Sequence, residues 1–231
     1  MAVSAGPNII EDGLVLCLDA ANKRSYPGSG TTWTDLSGNG NSGTLTNGPT
    51  YDTGSLGSIS FDGINDYCDV GNTLTNGFTE MTISVFAKTI TLSAFEYIIA
   101  KYSFFSDSGW LLYTTPDGAL GFDMRNDTST YRSVRTTQTY EANKYFHMTA
   151  VRELTRMVIY VNGAQAAEAA ITSGQTNQFD NTRTLAMGAL LSDTTTSYSQ
   201  ITIANCSIYN RALSQDEITQ NFNALRGRYG I

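Results

Sequence analysis

From Leu14 to Tyr209 the apolar residues recur at every second position in short runs, and glycine or an Asn/Asp-Gly pair cuts nearly every run. In "FTEMTISVFAK", Met81, Ile83, Val85 and Ala87 alternate with Thr82, Ser84 and Phe86, the period of a strand with one buried face. "GWLLYTTPDGALGFDM" reads as two strands about Pro116-Asp117-Gly118: proline presets φ for the turn and glycine accepts the positive φ that closes it. "RMVIYVNGAQAAEAA" is a second hairpin, with Asn162-Gly163 as the two left-handed positions of a tight turn. Its alanine-rich half favours helix by propensity, but its place as the return strand of a hairpin outweighs that. In "QITIANCSIYN" the apolar parity changes from Ile201 and Ile203 to Cys206 and Ile208, which predicts a bulge near Ala204–Asn205. Many short strands with glycine turns between them form an antiparallel sandwich or barrel.

One helix is predicted, at 214–226 in "ALSQDEITQNFNALRG". Ser214 and Glu217 make a capping box, and Leu213 and Ile218 make the matching hydrophobic staple. Ile218, Phe222 and Leu225 share a face, and Gly227 is the expected left-handed stop. Such a helix is expected to cover one end or edge of a sandwich. No internal repeat or linker divides the chain, so one domain is expected.

Composition narrows the partners. With 14 basic and 21 acidic residues the net charge is −7, against a nucleic-acid partner, which needs clustered Lys and Arg. No apolar run approaches the roughly 18 residues of a membrane span. The start "MAVSAGPNIIEDG" lacks the basic and apolar regions of a secretory signal, so the expectation is a protein made in a host cytoplasm without a signal peptide. Cys17, Cys68 and Cys206 are odd in number, far apart and in strand-like contexts, which predicts buried free thiols.

The blocks "SISFDGINDYCDV", "FTEMTISVFAK", "YFHMTAV", "MVIYVNGAQ" and "CSIYNRALSQDEI" follow in that order. The series resembles the laminin G-like, concanavalin A-like lectin/glucanase domains. The block from Gly13 to Tyr51, "GLVLCLDAANKRSYPGSGTTWTDLSGNGNSGTLTNGPTY", resembles a branch common in virion proteins of tailed bacteriophages. The resemblance runs from about Gly13 to Tyr229. It implies an all-β fold: an antiparallel two-sheet jelly-roll sandwich (concanavalin A-like) with one short C-terminal helix. Residues 1–12 are then an N-terminal arm and 13–231 the jelly-roll domain. Many relatives carry Trp before the position of His147, where this chain has Phe146 after Tyr145.

Three chemistries were weighed on this frame. In "SISFDGINDYCDVG", Asp62, Asn65, Asp66 and Asp69 place three carboxylates and an amide within eight residues. Calcium takes six to eight such oxygens in a glycine-bent loop, and related domains often bind it at the sandwich rim. The competing reading is a corner in which Asp62 and Asp66 bind nearby backbone N–H groups. Catalysis finds no footing: the single histidine, His147, lies in a strand, the seven glutamates are scattered, and no nucleophile elbow or phosphate loop occurs. The expectation is a protein that is not an enzyme. For sugar binding the candidate aromatics are Trp33, Trp110 and Tyr131. The two tryptophans border apolar strand residues and read equally as core, whereas Tyr131 stands near a hairpin tip.

Two functions follow as expectations. The first is a structural virion protein, a capsid decoration or cement protein or a tail-associated one. It would be located in the virion and contact other virion proteins, and homo-oligomers fit the symmetry of such lattices. The second is a carbohydrate-binding module for a bacterial surface glycan, with or without calcium. The polar, charge-poor stretches 172–182 and 194–200 suit contacts with an assembly, and residues 2–10 suit a docking arm.

Overall fold

A computed structural model describes residues 8–54, 57–102, 109–125, 131–171, 181–192 and 196–231. Two eight-stranded antiparallel sheets face each other. Across the first run β14 (Ala164–Ala170), β13 (Arg156–Val161), β12 (Phe146–Arg152), β7 (Met81–Thr89) and β18 (Ile201–Tyr209). Beyond β18 come β5 (Ser58–Ser60) and β4 (Thr50–Asp52), while β1 (Leu14–Asp19) pairs with the other half of β18. The second sheet runs β11 (Tyr131–Arg135), β10 (Leu120–Arg125), β9 (Gly109–Thr114), β8 (Glu96–Lys101), β15 (Ala186–Met187), β6 (Tyr67–Asp69), β3 (Gly43–Thr46) and β2 (Thr32–Trp33). A small ladder, β16 (Ala189–Leu191) with β17 (Thr196–Tyr198), branches off after Gly188. This is the expected jelly-roll sandwich.

Alternation explains the core. Ile83 and Val85 of β7, Met148 and Ala150 of β12, and Ile159 of β13 meet Trp110, Leu112, Phe122 and Met187 from the opposite sheet. Yet β7 is buried on both faces rather than one. Its second face lies beneath the C-terminal helix α1 (Gln215–Leu225), so residues that read as solvent-facing are covered. Thr82 Oγ1 donates to the Arg211 carbonyl at 2.9 Å and accepts from Leu213 N–H at 2.9 Å, so the buried hydroxyl is satisfied on both sides. The expected bulge is present: register against β7 shifts between Ile203 and Asn205. It turns Ala204 outward under the helix and returns Cys206 and Ile208 to the core.

Asn162 and Gly163 have φ of 52° and 80°, the turn that returns β13 into β14. β14 stays a strand because its backbone pairs with β13 from Ala164 to Ala170. The capping box at Ser214 and Glu217 is formed. Leu213 and Ile218 pack on Val151, Val158, Tyr160 and Tyr209, while Phe222 and Leu225 pack on Phe86 and Ala204. The helix therefore covers the outer face of the first sheet, not an end or edge. It also does not stop at Gly227. Arg226 keeps helical angles, one 3₁₀ turn follows (Arg226–Arg228), and the positive φ is at Gly230. That extra turn brings the Tyr229 ring to 5.1 Å from Phe86 and 5.0 Å from Tyr145. Phe146 enters the core, and Tyr145 turns to the outer aromatic cluster.

The segment read as an arm is fastened from Asn8 onward, and residues 1–7 lie outside the described ones. Ile10 N–H donates to Asn221 Oδ1 at 2.8 Å, the Tyr209 hydroxyl donates to the Ile10 carbonyl at 3.0 Å, and Gln220 donates to the Asn8 carbonyl at 2.7 Å. The stretch 172–180 and residues 193–195 also lie outside the described residues. All three cysteines are free and buried.

His147 sits wholly buried beneath the helix. Its ring stacks 4.3 Å from Phe86 and 5.7 Å from Phe222, with Nε2 at 2.7 Å from Ser84 Oγ. Among the described residues no partner reaches Nδ1. Burial pushes its pKa down to about 3. The unfolded chain, near pKa 6.5, takes up a proton that the folded chain refuses, and at pH 7 this proton-linked penalty is small. Between pH 6.5 and 3 it destabilises the fold by about 1.4 kcal/mol for each unit of acidification. Denaturant melts of wild type and His147→Gln from pH 7 to 4 check this: the variant should show the shallower acid slope.

Candidate functional site

The rim loop comes first. Asp62 Oδ1 accepts from Ile64 N–H at 2.7 Å and Asn65 N–H at 3.3 Å, and the Ile64 bond is the main reason its pKa is lowered. Asp66 is buried, accepts from Asp62 N–H at 3.3 Å, and has its pKa raised by burial and then by the Asp62 charge. Asp69 points elsewhere, accepting from Gly71 N–H at 2.7 Å and from the Thr184 hydroxyl. The Asn65 carbonyl accepts from Asn47 Nδ2 at 2.8 Å. Among the described residues no group of three or more His, Cys, Asp or Glu is gathered to hold a metal. The loop's geometry is a corner: Phe61 enters the core, and Tyr67 stays outside, 6.3 Å from Tyr198. Thermal melts in chelator and in millimolar calcium should coincide, because bound ligand would stabilise the native state. Asp66→Ala should cost up to about 1 kcal/mol, because it removes one hydrogen bond to a solvent-accessible N–H, that of Asp62.

Trp33 and Trp110 are both fully buried between the sheets. Strand parity turns them inward together with Leu45 and Leu112, and Trp110 Nε1 donates to Thr75 Oγ1 at 3.3 Å. Neither offers a face to a sugar. Tyr131, first residue of β11, is 50% exposed on the outer side of the second sheet. The tip it was read from, residues 126–130, lies outside the described residues.

Tyr131 proves to be part of a larger patch. On β9 to β11 the residues facing away from the core are Leu111 and Tyr113, then Gly121, Asp123 and Arg125, then Tyr131, Ser133 and Arg135. Gly121 matters sterically: a Cβ there would lie 2.1 Å from the Tyr113 ring, so only glycine lets that ring lie across the sheet. Phe95 is 51% exposed and its ring stands 5.8 Å from that of Tyr113. Beneath them Asp123 is buried and accepts from the hydroxyls of Tyr113, at 3.1 Å, and of Tyr131. Burial raises the Asp123 pKa, and hydrogen bonds from Ser133 and the two tyrosines oppose the rise. Burial and the Asp123 charge push Tyr113 up to about 12. The strip is bordered by the Arg135–Asp117 ion pair and by Arg125, which reaches the Tyr102 hydroxyl. Leu190 of the β16–β17 ladder packs against Ala100, Leu111 and Tyr113 and walls off one side.

The patch can stack a ring face and hydrogen-bond hydroxyls at its border. It does not assemble an acid–base pair: among the described residues no second carboxylate acts on Asp123, and His147 is buried in the other sheet. Of this patch, reading the sequence found Tyr131, but not the exposed Phe95 or the buried Tyr113 and Asp123 that support it. The signal was present, since in "GWLLYTT" and "ALGFDMR" Tyr113 and Asp123 occupy the parity opposite to Trp110, Leu112, Phe122 and Met124.

Comparison with known proteins agrees with this architecture. The botulinum neurotoxin type G receptor binding domain superposes with a TM-score of 0.67 at 16% identity, over 91% of this chain and 51% of that one. A structure of botulinum neurotoxin type C, whose cell entry is described as dependent upon interaction with two ganglioside molecules, gives 0.71 at 16% identity, over 94% and 52%. The serotype D ligand binding domain in complex with N-acetylneuraminic acid gives 0.70 at 18% identity, over 92% and 51%. The chain thus spans about half the length of these structures, and at such identity they share its fold. No curated protein matches the sequence. A laminin G-type family model, described as the concanavalin A-like lectin/glucanases superfamily, matches residues 62–219, more than half of the chain. The chain therefore belongs to the concanavalin A-like lectin/glucanases superfamily, as a laminin G-like domain.

Proposed function

We propose that the chain is a recognition module without catalysis, and that it binds a glycan on the outer face of its second sheet. The observation that carries this is the pair of half-exposed rings, Phe95 and Tyr131, flanking Tyr113 above the buried Asp123. Sugar rings stack their C–H faces on such aromatics, while serine, arginine and carboxylate groups at the border meet their hydroxyls. The Tyr131 and Tyr113 hydroxyls are held by Asp123, so the rings are fixed before a ligand arrives, which lowers the entropy cost of binding. Two of the similar toxin structures are described with a ganglioside or N-acetylneuraminic acid. Since this chain matches only about half of each, their ligands support the reading only in kind. A glycan array probed with wild type, Phe95→Ala and Tyr131→Ala is the test. Phe95→Ala should keep the wild-type melt, whereas Tyr131→Ala, which also takes a hydrogen bond from the buried Asp123, should melt lower; each should lose about tenfold in affinity, roughly 1.4 kcal/mol. Undiminished binding, or no binding by wild type to any glycan, would overturn the reading.

The block from Gly13 to Tyr51, with its likeness to tailed-phage virion proteins, supports a setting for such a module: the surface of a phage particle, as decoration or tail component. There its partners would be other virion proteins and the host-surface glycan. Mass spectrometry of purified particles should find the protein at stoichiometric levels, and its absence from them would discard the virion setting while leaving the glycan face untouched.

A further inference from the structure

We propose that the groove between helix α1 and strand β1 is a second binding site, and that it takes an extended peptide segment of a partner protein that lacks acidic side chains. The groove is an open cleft of about 860 Å³ on the opposite side of the sandwich from the glycan face. Its floor is the outer side of β1, Cys17 and Asp19, together with Asn205 at the β18 bulge. The C-terminal half of α1 and the residues after it form one wall, and Leu36 and Ser37 the other.

The lining chemistry selects the ligand. Four side-chain amides face the cleft, from Asn8, Asn22, Asn205 and Asn223. A primary amide offers one acceptor and two donors, the complement of a peptide group. Asn205 is only 2% exposed and gives Nδ2 to the Leu18 carbonyl at 3.1 Å, which leaves Oδ1 as an acceptor on the floor. Asp19 Oδ2 pairs with Arg228 at 2.7 Å and Glu11 adds an exposed carboxylate at the mouth, so the groove lacks the unopposed cation that a phosphate or carboxylate would seek. Among the described residues no aromatic ring lines it, in contrast to the Phe95–Tyr113–Tyr131 patch, so these residues do not offer the stacking surface of a sugar site. Cys17, Leu36 and Leu225 supply apolar floor and wall between the amides, as side chains of an extended segment would need.

The binding mode is also constrained. One edge of β1 pairs with β18. On the other edge the loop at 35–41 already engages the backbone: Cys17 N–H donates to Asp35, and Leu36 N–H donates to the Cys17 carbonyl at 2.8 Å. Asn39 and Asn41 donate to the carbonyls of Leu14 and Val15. The segment therefore cannot add as a further strand on β1, and it must be read by the side-chain amides from above. Occupation of the groove leaves the glycan face open, so one module can be anchored to a partner while it holds a sugar.

Panning a displayed library of random twelve-residue peptides against the full chain tests this. Enriched peptides should be poor in Asp and Glu. Asn223 is exposed on α1, so its variants should fold. Asn223→Trp, which fills the groove, and the milder Asn223→Ala should each weaken the selected peptides, the former by at least about tenfold, while Phe95→Ala leaves them unchanged. Failure to enrich any peptide would overturn the proposal, as would peptides that bind Asn223→Trp as tightly as wild type. Neither result bears on the glycan face, which is read by different variants.

Discussion

The pairing of β7 with β18 is the constraint on which the rest of the structure rests. Both strands are nine residues long, their ladder runs from Ile201↔Thr89 to Tyr209↔Thr82, and both are buried on both faces. A strand buried on one face needs only a facing sheet, but one buried on both needs a third layer. Helix α1 supplies it. Phe222 reaches the stack of Phe86 and His147, and Leu213 and Ile218 close over Tyr209 and Val151. The N-terminal residues 8–12 then fasten across the helix, with Arg211 bridging Asp12 at 2.8 Å and Glu217 at 2.6 Å. Chain ends distant in sequence thus stabilise one ladder at the middle of the first sheet.

Covering one outer face leaves the other available. The first sheet carries the helix, so its polar outward residues, Thr82, Ser84 and Thr149, satisfy one another, His147 and the loop before α1 rather than a ligand. The second sheet has no helix on it among the described residues, only the short β16–β17 ladder over part of its width. Its outward residues therefore need not be small, and here the buried Tyr113 and Asp123 hold the half-exposed Tyr131 in a fixed network just below the surface. Burying Asp123 is tolerated because two tyrosine hydroxyls replace the water it loses. The same asymmetry makes the groove beside α1: the helix is narrower than the sheet it covers, so the outer side of β1 beyond its C-terminal half remains open.

Local chemistry was legible wherever a short stretch carried its own instruction. The Asn162-Gly163 turn, the capping box at Ser214 and Glu217 and the bulge at Ala204 each depend on residues within a few positions, and each stands as the sequence indicated. Gly227 shows the limit. By itself it is a fitting helix stop, but Tyr229 is held against Phe86 and Tyr145 by contacts from strands far away in sequence, and the chain keeps turning to reach them. The tryptophans show it again, since Trp33 in a two-residue strand has too little alternation around it to declare which way it faces.

What the sequence determined by itself was the class of the fold, the hairpins and the presence of one capped helix, because periodicity, turn residues and caps act over a single turn or strand pair. Only the tertiary structure decided which outward face would be covered and which left free. The parity of a strand says that two faces differ, not what lies against each. Phe86 and Tyr113 have the same pattern in the sequence, an aromatic ring on the outward side of a strand. One is sealed beneath α1 and the other lies over Gly121 at the surface patch, because a helix formed more than a hundred residues later docks on the first sheet and not the second.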